Sequence, residues 1–134
     1  MQKVVLSVED DDAAYHLLEI AFDDIGKDFT LYRAVDGEQA IGFLRRSGSY
    51  SNTPKPDLIL LNLNLPRISG FDVLEAMQRD NSIRDIPAVA FSSSSLSADR
   101  ARCLALGAKH FVSKPTDFDE FMDAVKLACK YAAA

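Results

Sequence analysis

Five side chains that could do chemistry stand where apolar runs of this sequence stop: Glu9 and Asp10, Asn62, Ser92 and Lys114. Carboxylates brought together repel one another, and a hard cation relieves the repulsion. Mg²⁺ suits two acids, because it takes one or two carboxylates plus backbone oxygens and keeps several waters. A lysine and a serine opposite such a cation would complete a clamp for a phosphoryl group, stabilising its charge without covalent work by the protein. What this set lacks is a nucleophile. The nitrogen lone pair of Asn62 is delocalised into its carbonyl, and the amide has no ionisable oxygen to accept a phosphoryl group as an aspartate would.

The elements that must position these residues read as strands. The stretch from Pro56 to Gly70, PDLILLNLNLPRISG, organises the chain. Leu58 to Leu61 is a short continuous apolar run suited to a strand buried on both faces of a parallel sheet. Asn62 and Asn64 follow abruptly, then Pro66, and the Ser69 hydroxyl is placed to cap a new helix. Lys3 to Val8 predicts a first strand, running into the acids Glu9 to Asp12. Ala14, Leu17, Leu18, Ala21, Phe22 and Ile25 then form a stripe of 3.6-residue period closed by Gly26. Thr30 to Val35 predicts a second strand. Asp36 caps a helix with Ala40, Ile41 and Leu44 inward that ends near Gly48, and Ser47 to Lys55 reads as a solvated loop whose Tyr50 could touch a partner.

Beyond the organising strand, a helix from Ser69 carries Phe71, Val73, Leu74 and Met77 and ends around Asp80. Ala88 to Phe91 predicts a fourth strand ending in Ser92, Ser93, Ser94 and Ser95. A helix from about Ser97 follows, with Ala101, Leu104 and Ala105 inward and Gly107 as its stop. His110 to Ser113 is a fifth strand, and Thr116 is the expected cap of a last helix with Phe118, Phe121, Met122, Val125 and Ala128 inward. Strand and helix alternate five times without repeat or linker, which predicts an α/β fold: one doubly wound parallel sheet. The expected strand order is 2-1-3-4-5, flavodoxin-like, with its switch point between strands 1 and 3. That order sets Glu9 and Asp10 beside Asn62, with Ser92 and Lys114 arriving from strands 4 and 5.

Composition narrows the function. The 134 residues suit one domain with an ordinary core, and 48% hydrophobic with 26% charged residues is a globular balance. A net charge of −5 argues against binding phosphate backbones or anionic membranes. No run approaches the roughly 18 apolar residues of a membrane span, and the N-terminal MQKVVLSVED is too short for a signal peptide, so a cytoplasmic chain is expected. Cys103 and Cys129 show no metal spacing and read as core-filling residues. His16 and His110 have no acid or base partner in view.

With these residues in hand, the chain resembles the CheY-like receiver domains of two-component response regulators over essentially its whole length. The matching pieces are VEDDD after strand 1, PDLILLNLNLPRISG around strand 3, PAVAFSSSS ending in a switch hydroxyl, and AKHFVSKP around strand 5. The long loop before PKPDLILL and the wording LNLPRISGFDVL are most similar to the small stand-alone receivers that serve bacterial and cyanobacterial phytochromes. The resemblance implies a single receiver domain over 1–134 with no output domain, acting in a phosphorelay through protein contacts. It implies that Glu9 and Asp10 hold Mg²⁺ and that Asn64 lends its backbone carbonyl to the metal. Ser92 then turns toward the phosphoryl group, Phe111 rotates inward with it, and Lys114 pairs with the phosphoryl oxygens. Pro115 falls at a position that is often a cis-proline in these domains. Phe111 equally suits an ordinary core.

The departure is at the centre: Asn62 occupies the position of the phosphoacceptor aspartate. One negative charge is thereby removed, so Asn62 would be a weak metal ligand, Mg²⁺ should bind more weakly than in an ordinary receiver, and Lys114 loses its usual partner. Both an atypical receiver working without phosphate and a phosphorylation-dead variant fit this reading. The implied partner is a sensor histidine kinase, of phytochrome type by the subtype resemblance. The implied contact face is the fourth helix, fifth strand and last helix, with a homodimer through the outer strand or last helix also compatible. Two enzyme or cofactor readings of the same sheet fare worse. A Mg²⁺-dependent phosphohydrolase needs an acidic nucleophile where Asn62-Leu63-Asn64 stands. A flavin- or nucleotide-binding domain wants a Gly-rich phosphate loop where Glu9 to Asp12 would repel phosphate. No catalysis is therefore expected.

Overall fold

Residues 2–93 and 97–133 are described by a computed structural model, and Ser94 and Ser95 of the serine run lie outside them. The chain alternates β1 (Lys3–Val8), α1 (Asp12–Ile25), β2 (Phe29–Ala34), α2 (Gly37–Arg45), β3 (Leu58–Asn62), α3 (Gly70–Gln78), β4 (Ala88–Ser92), α4 (Ser97–Ala105), β5 (His110–Ser113) and α5 (Phe118–Cys129). The five strands form one parallel sheet in the order β2-β1-β3-β4-β5, as the alternation predicted. Val8 pairs with Leu61, Leu61 with Ala90, and Ala90 with Phe111. Glu9, Asn62, Ser92 and Lys114 consequently emerge within about one residue of a common level, at the carboxyl edge where open α/β sheets place their binding crevice.

Side chains of a strand point alternately to its two faces, and here both faces are covered. Leu58 and Leu60 meet α1 and α5 through Leu18, Phe22, Phe121 and Val125, while Ile59 and Leu61 meet the opposite layer through Val73, Leu74 and Met77. By the same alternation Ser7, Glu9 and Asn62 lie on the α1/α5 side of the sheet. Phe111 belongs to the other layer, buried with Ala88, Ala90 and Cys103.

The helix starts follow side-chain chemistry. Asp11 and Asp36 accept hydrogen bonds from the amides of Ala14 (2.8 Å) and Gln39 (2.7 Å). Ser69 and Asp72 form a reciprocal capping box. Gly26 closes α1 at φ 105°, a conformation that costs other residues more.

Several expectations need correction. β2 sits one residue earlier than Thr30–Val35. The cap of α5 is Asp117, not Thr116, because its carboxylate accepts from the Glu120 amide at 2.9 Å. α2 stops at Arg45 with Arg46 left-handed (φ 54°), short of Gly48. The loop that follows is not merely solvated: it holds a 3₁₀ turn at Gly48–Tyr50, and the Tyr50 ring packs 6.1 Å from that of Phe43. Leu17 and Phe118 are exposed, as are Ala101, Leu104 and Ala105, whereas Cys103 turns inward. In this nine-residue helix one buried side chain sets the face, and Cys103 with half-buried Leu106 fixes a different one from the alanine stripe.

Among the described residues no helix is long and apolar enough to cross a membrane. Cys103 and Cys129 are free thiols in the core, as their apolar neighbours predicted. Burial pushes the Cys129 thiol from its ordinary 9.0 up to about 11. Between those values the unfolded chain has lost this proton while the folded chain keeps it, so stability falls as pH rises. The contribution is complete below pH 9 and gone above about 11, a loss on the order of 2–3 kcal/mol. Urea unfolding at about pH 8 and about pH 10.5 should show a shallower alkaline loss for Cys129→Ala than for the parent chain. Equal losses would contradict this assignment.

Candidate functional site

The rim at the carboxyl edge is centred on Glu9, which the end of β1 carries into the interior with only 4% of its surface exposed. A carboxylate buried that deeply needs donors on both oxygens. One oxygen, Oε2, accepts from Asn62 Nδ2 at 2.9 Å and from the Asp11 amide at 3.2 Å. The other, Oε1, accepts from Lys114 Nζ at 3.1 Å. Asn62 Nδ2 also reaches Asp10 Oδ1 at 3.4 Å, and Asn62 Oδ1 accepts from the Asn64 amide at 3.0 Å. The reverse orientation of the Asn62 amide would aim its oxygen at two carboxylates and its NH₂ at an N–H, so the network fixes which end faces the acids.

Asn62 thus does electrostatic work that a cation could otherwise do: its donor end sits between Glu9 and Asp10. Lys114, facing an amide at position 62, pairs with Glu9 instead. The remaining expected residues are gathered nearby. Asn64 donates from Nδ2 to Ser93 Oγ at 3.1 Å and to Ser92 Oγ at 3.4 Å, tying β3 to β4. Ser92 is fully buried at the end of β4. Phe111 is buried on the far layer, next to β4 rather than on the rim. Pro115 follows Lys114 through a trans peptide bond, so the cis geometry suggested by the resemblance is absent.

Sequence reasoning passed over two contributors. Arg33 of β2 donates from Nε to the Glu9 carbonyl at 3.0 Å, pairs with Asp12 at 2.9 Å and lies 4.7 Å over the Tyr15 ring. It fastens the acidic loop to the neighbouring strand, and an arginine in a strand otherwise without charge was the available signal. Burial, then the Glu19 charge, pushes the Tyr15 phenol up, with Arg33 opposing. Gly70 is the second. A Cβ there would lie 2.6 Å from the Asn62 carbonyl oxygen and 2.7 Å from Leu63 Cα, so only glycine lets α3 begin this close to the site.

As a metal site the rim offers the right donor type but few donors. No group of three or more His, Cys, Asp or Glu side chains gathers among the described residues. Both Glu9 oxygens are engaged, which leaves the exposed Asp10 as the accessible carboxylate of the pair. A hard cation fits this set weakly, against competition from the Asn62 amide and Lys114.

Comparison with known proteins agrees with this fold. Residues 5–126 match the family model described as response regulator receiver domain. The response regulator Rcp1 of Synechocystis sp. is 32% identical over 124 residues, covering 92% of this chain and 84% of that protein. The crystal structure of the Mn²⁺-bound form of Rcp1 superposes with a TM-score of 0.85 at 31% identity, covering 92% of this chain and 89% of that one. The phosphorylated cyanobacterial phytochrome response regulator RcpA superposes with a TM-score of 0.91 at 30% identity, covering 98% and 94%.

Proposed function

Because the chain belongs to the response regulator receiver family, we propose that it signals through protein contacts without accepting a phosphoryl group at position 62. The observation that carries this reading is the Asn62 amide donating to Glu9 at 2.9 Å while Lys114 holds the other Glu9 oxygen at 3.1 Å. The rim's own side chains engage both Glu9 oxygens, and the atom that would attack a phosphodonor is replaced by an amide nitrogen without a free lone pair. Glu9, Asp10 and the Asn64 carbonyl are the residues that would hold Mg²⁺. When bound, the metal would supply positive charge against phosphoryl oxygens. Ser92 and Lys114 would then serve as the switch hydroxyl and the phosphoryl-pairing cation, with Phe111 and Pro115 behind them.

The partner in this reading is a sensor histidine kinase of phytochrome type, supported by the likeness to Rcp1 and RcpA. The contact face is α4, β5 and α5. Its support is exposed apolar surface on these elements and just after them: Leu104 of α4, Leu127 of α5 and Tyr131 beyond it. A homodimer through the outer strand or last helix is compatible with it.

Calorimetric titration tests the site. Restoring one unit charge next to Glu9 and Asp10 should tighten Mg²⁺ binding at least tenfold in Asn62→Asp relative to the parent chain, at about 1.4 kcal/mol per tenfold. Equal affinities would show that Asn62 does not limit the metal.

A further inference from the structure

On the α1/α5 side of the sheet, directly beneath the rim, lies a cavity of about 90 Å³. Its floor is Leu60 and Phe91, its walls are Leu18 and Phe121, and exposed Leu17 stands at its mouth (41%). Ser7 also lines it. This serine interrupts the apolar run Val4–Val8 in the middle of a buried strand, is 1% exposed, and its hydroxyl has no hydrogen-bond partner among the described residues. A buried hydroxyl left without a partner costs about 1–3 kcal/mol, so its retention in a strand core asks for an occupant that bonds to it.

The chemistry of the walls narrows what that occupant is. At roughly 30 Å³ per water the space would take about three waters, each needing two to four polar partners; beside Glu9, Asn62 and Lys114 a water finds them, but along Leu18, Leu60, Phe91 and Phe121 Ser7 is the polar side chain on offer. Glu9 and Lys114 reach the same cavity and neutralise each other at 3.1 Å. A carboxylate would face Glu9 and an ammonium would face Lys114, so the rim selects against net charge.

We infer that this cavity binds a small neutral molecule with an apolar body and one hydroxyl-like head, the head bonded to Ser7 and the body packed between Leu60, Phe91 and Phe121. Asn62 lines the same cavity, so binding is felt at the rim. The inference does not depend on whether position 62 accepts phosphate.

The probe is 1-butanol, titrated into isotopically labelled protein and followed by NMR. Saturable shifts are expected at Ser7, Leu18, Leu60, Phe91 and the Asn62 side-chain amide. Ser7→Ala keeps the space but removes the hydroxyl and should weaken binding about fivefold, the effect of one ordinary hydrogen bond. Ser7→Leu fills the space and should abolish binding; Ser7→Val serves if the leucine variant does not fold. Non-saturating shifts spread over the surface, unchanged affinity in Ser7→Ala, or binding retained in the filled variant would each overturn the inference.

Discussion

Without divalent metal, Asn62→Asp should unfold at a lower temperature than the parent chain, by the equivalent of about 2–3 kcal/mol. The substitution exchanges the Asn62 Nδ2 donor, 2.9 Å from Glu9 and 3.4 Å from Asp10, for an oxygen of the same charge as both. A hydrogen bond to a charged group, worth about 1.5–3 kcal/mol, becomes a like-charge contact beside a buried carboxylate. At roughly 3 °C per kcal/mol for a chain of this size, Tm should fall by about 6–9 °C in EDTA. Mg²⁺ should then return most of it, since a ligand at 100 times its Kd adds about 2.7 kcal/mol. The parent, with its weak cation site, should move little in either direction. Calorimetry in EDTA and in excess Mg²⁺ provides both readings, and equal melting of the two chains in EDTA would remove the amide from its role as internal counter-charge.

Removing Lys114 should cost a similar amount for the opposite reason. Lys114 is the cation that meets Glu9 Oε1, and its own side chain is only 26% exposed. Lys114→Met keeps the stem and deletes the charge, leaving Glu9 with one oxygen unmatched. Breaking a buried pair from one side typically costs 3–5 kcal/mol, reduced here to about 2–3 because water reaches the ammonium. Glu9→Gln in the same background should restore most of the loss, because it removes the charge that was left uncompensated. Urea unfolding at constant m reads the parent chain and both variants. A double variant no more stable than Lys114→Met would show that the uncompensated Glu9 charge is not the source of the loss.

The rim was legible in the sequence because each of its members stands where a buried strand gives way to polar residues. Parallel strands announce themselves as continuous apolar runs, and Leu58 to Leu61 could be little else. The strand order followed from five alternating units, and the caps Asp36 and Ser69 followed from their side chains. What was not legible depends on contacts between distant segments. Nothing in the spelling of Lys114 says that it will turn to Glu9, 105 positions away, once position 62 is an amide. The orientation of α4 was misread because Ala101 and Ala105 suit either side of a helix, and burial of Cys103 decides. Ser7 looked like an ordinary member of a strand; only the space around it makes it notable. Asp117 displaced Thr116 as a cap because both residue types serve, and backbone geometry chooses between neighbours.

The central claim, a receiver rim silenced at one atom, meets its most direct test in intact mass after incubation with Mg²⁺ and acetyl phosphate. The account predicts that the parent chain gains nothing while Asn62→Asp gains the mass of one phosphoryl group. Labelling of the parent chain would contradict it, for the acceptor would then lie elsewhere than position 62.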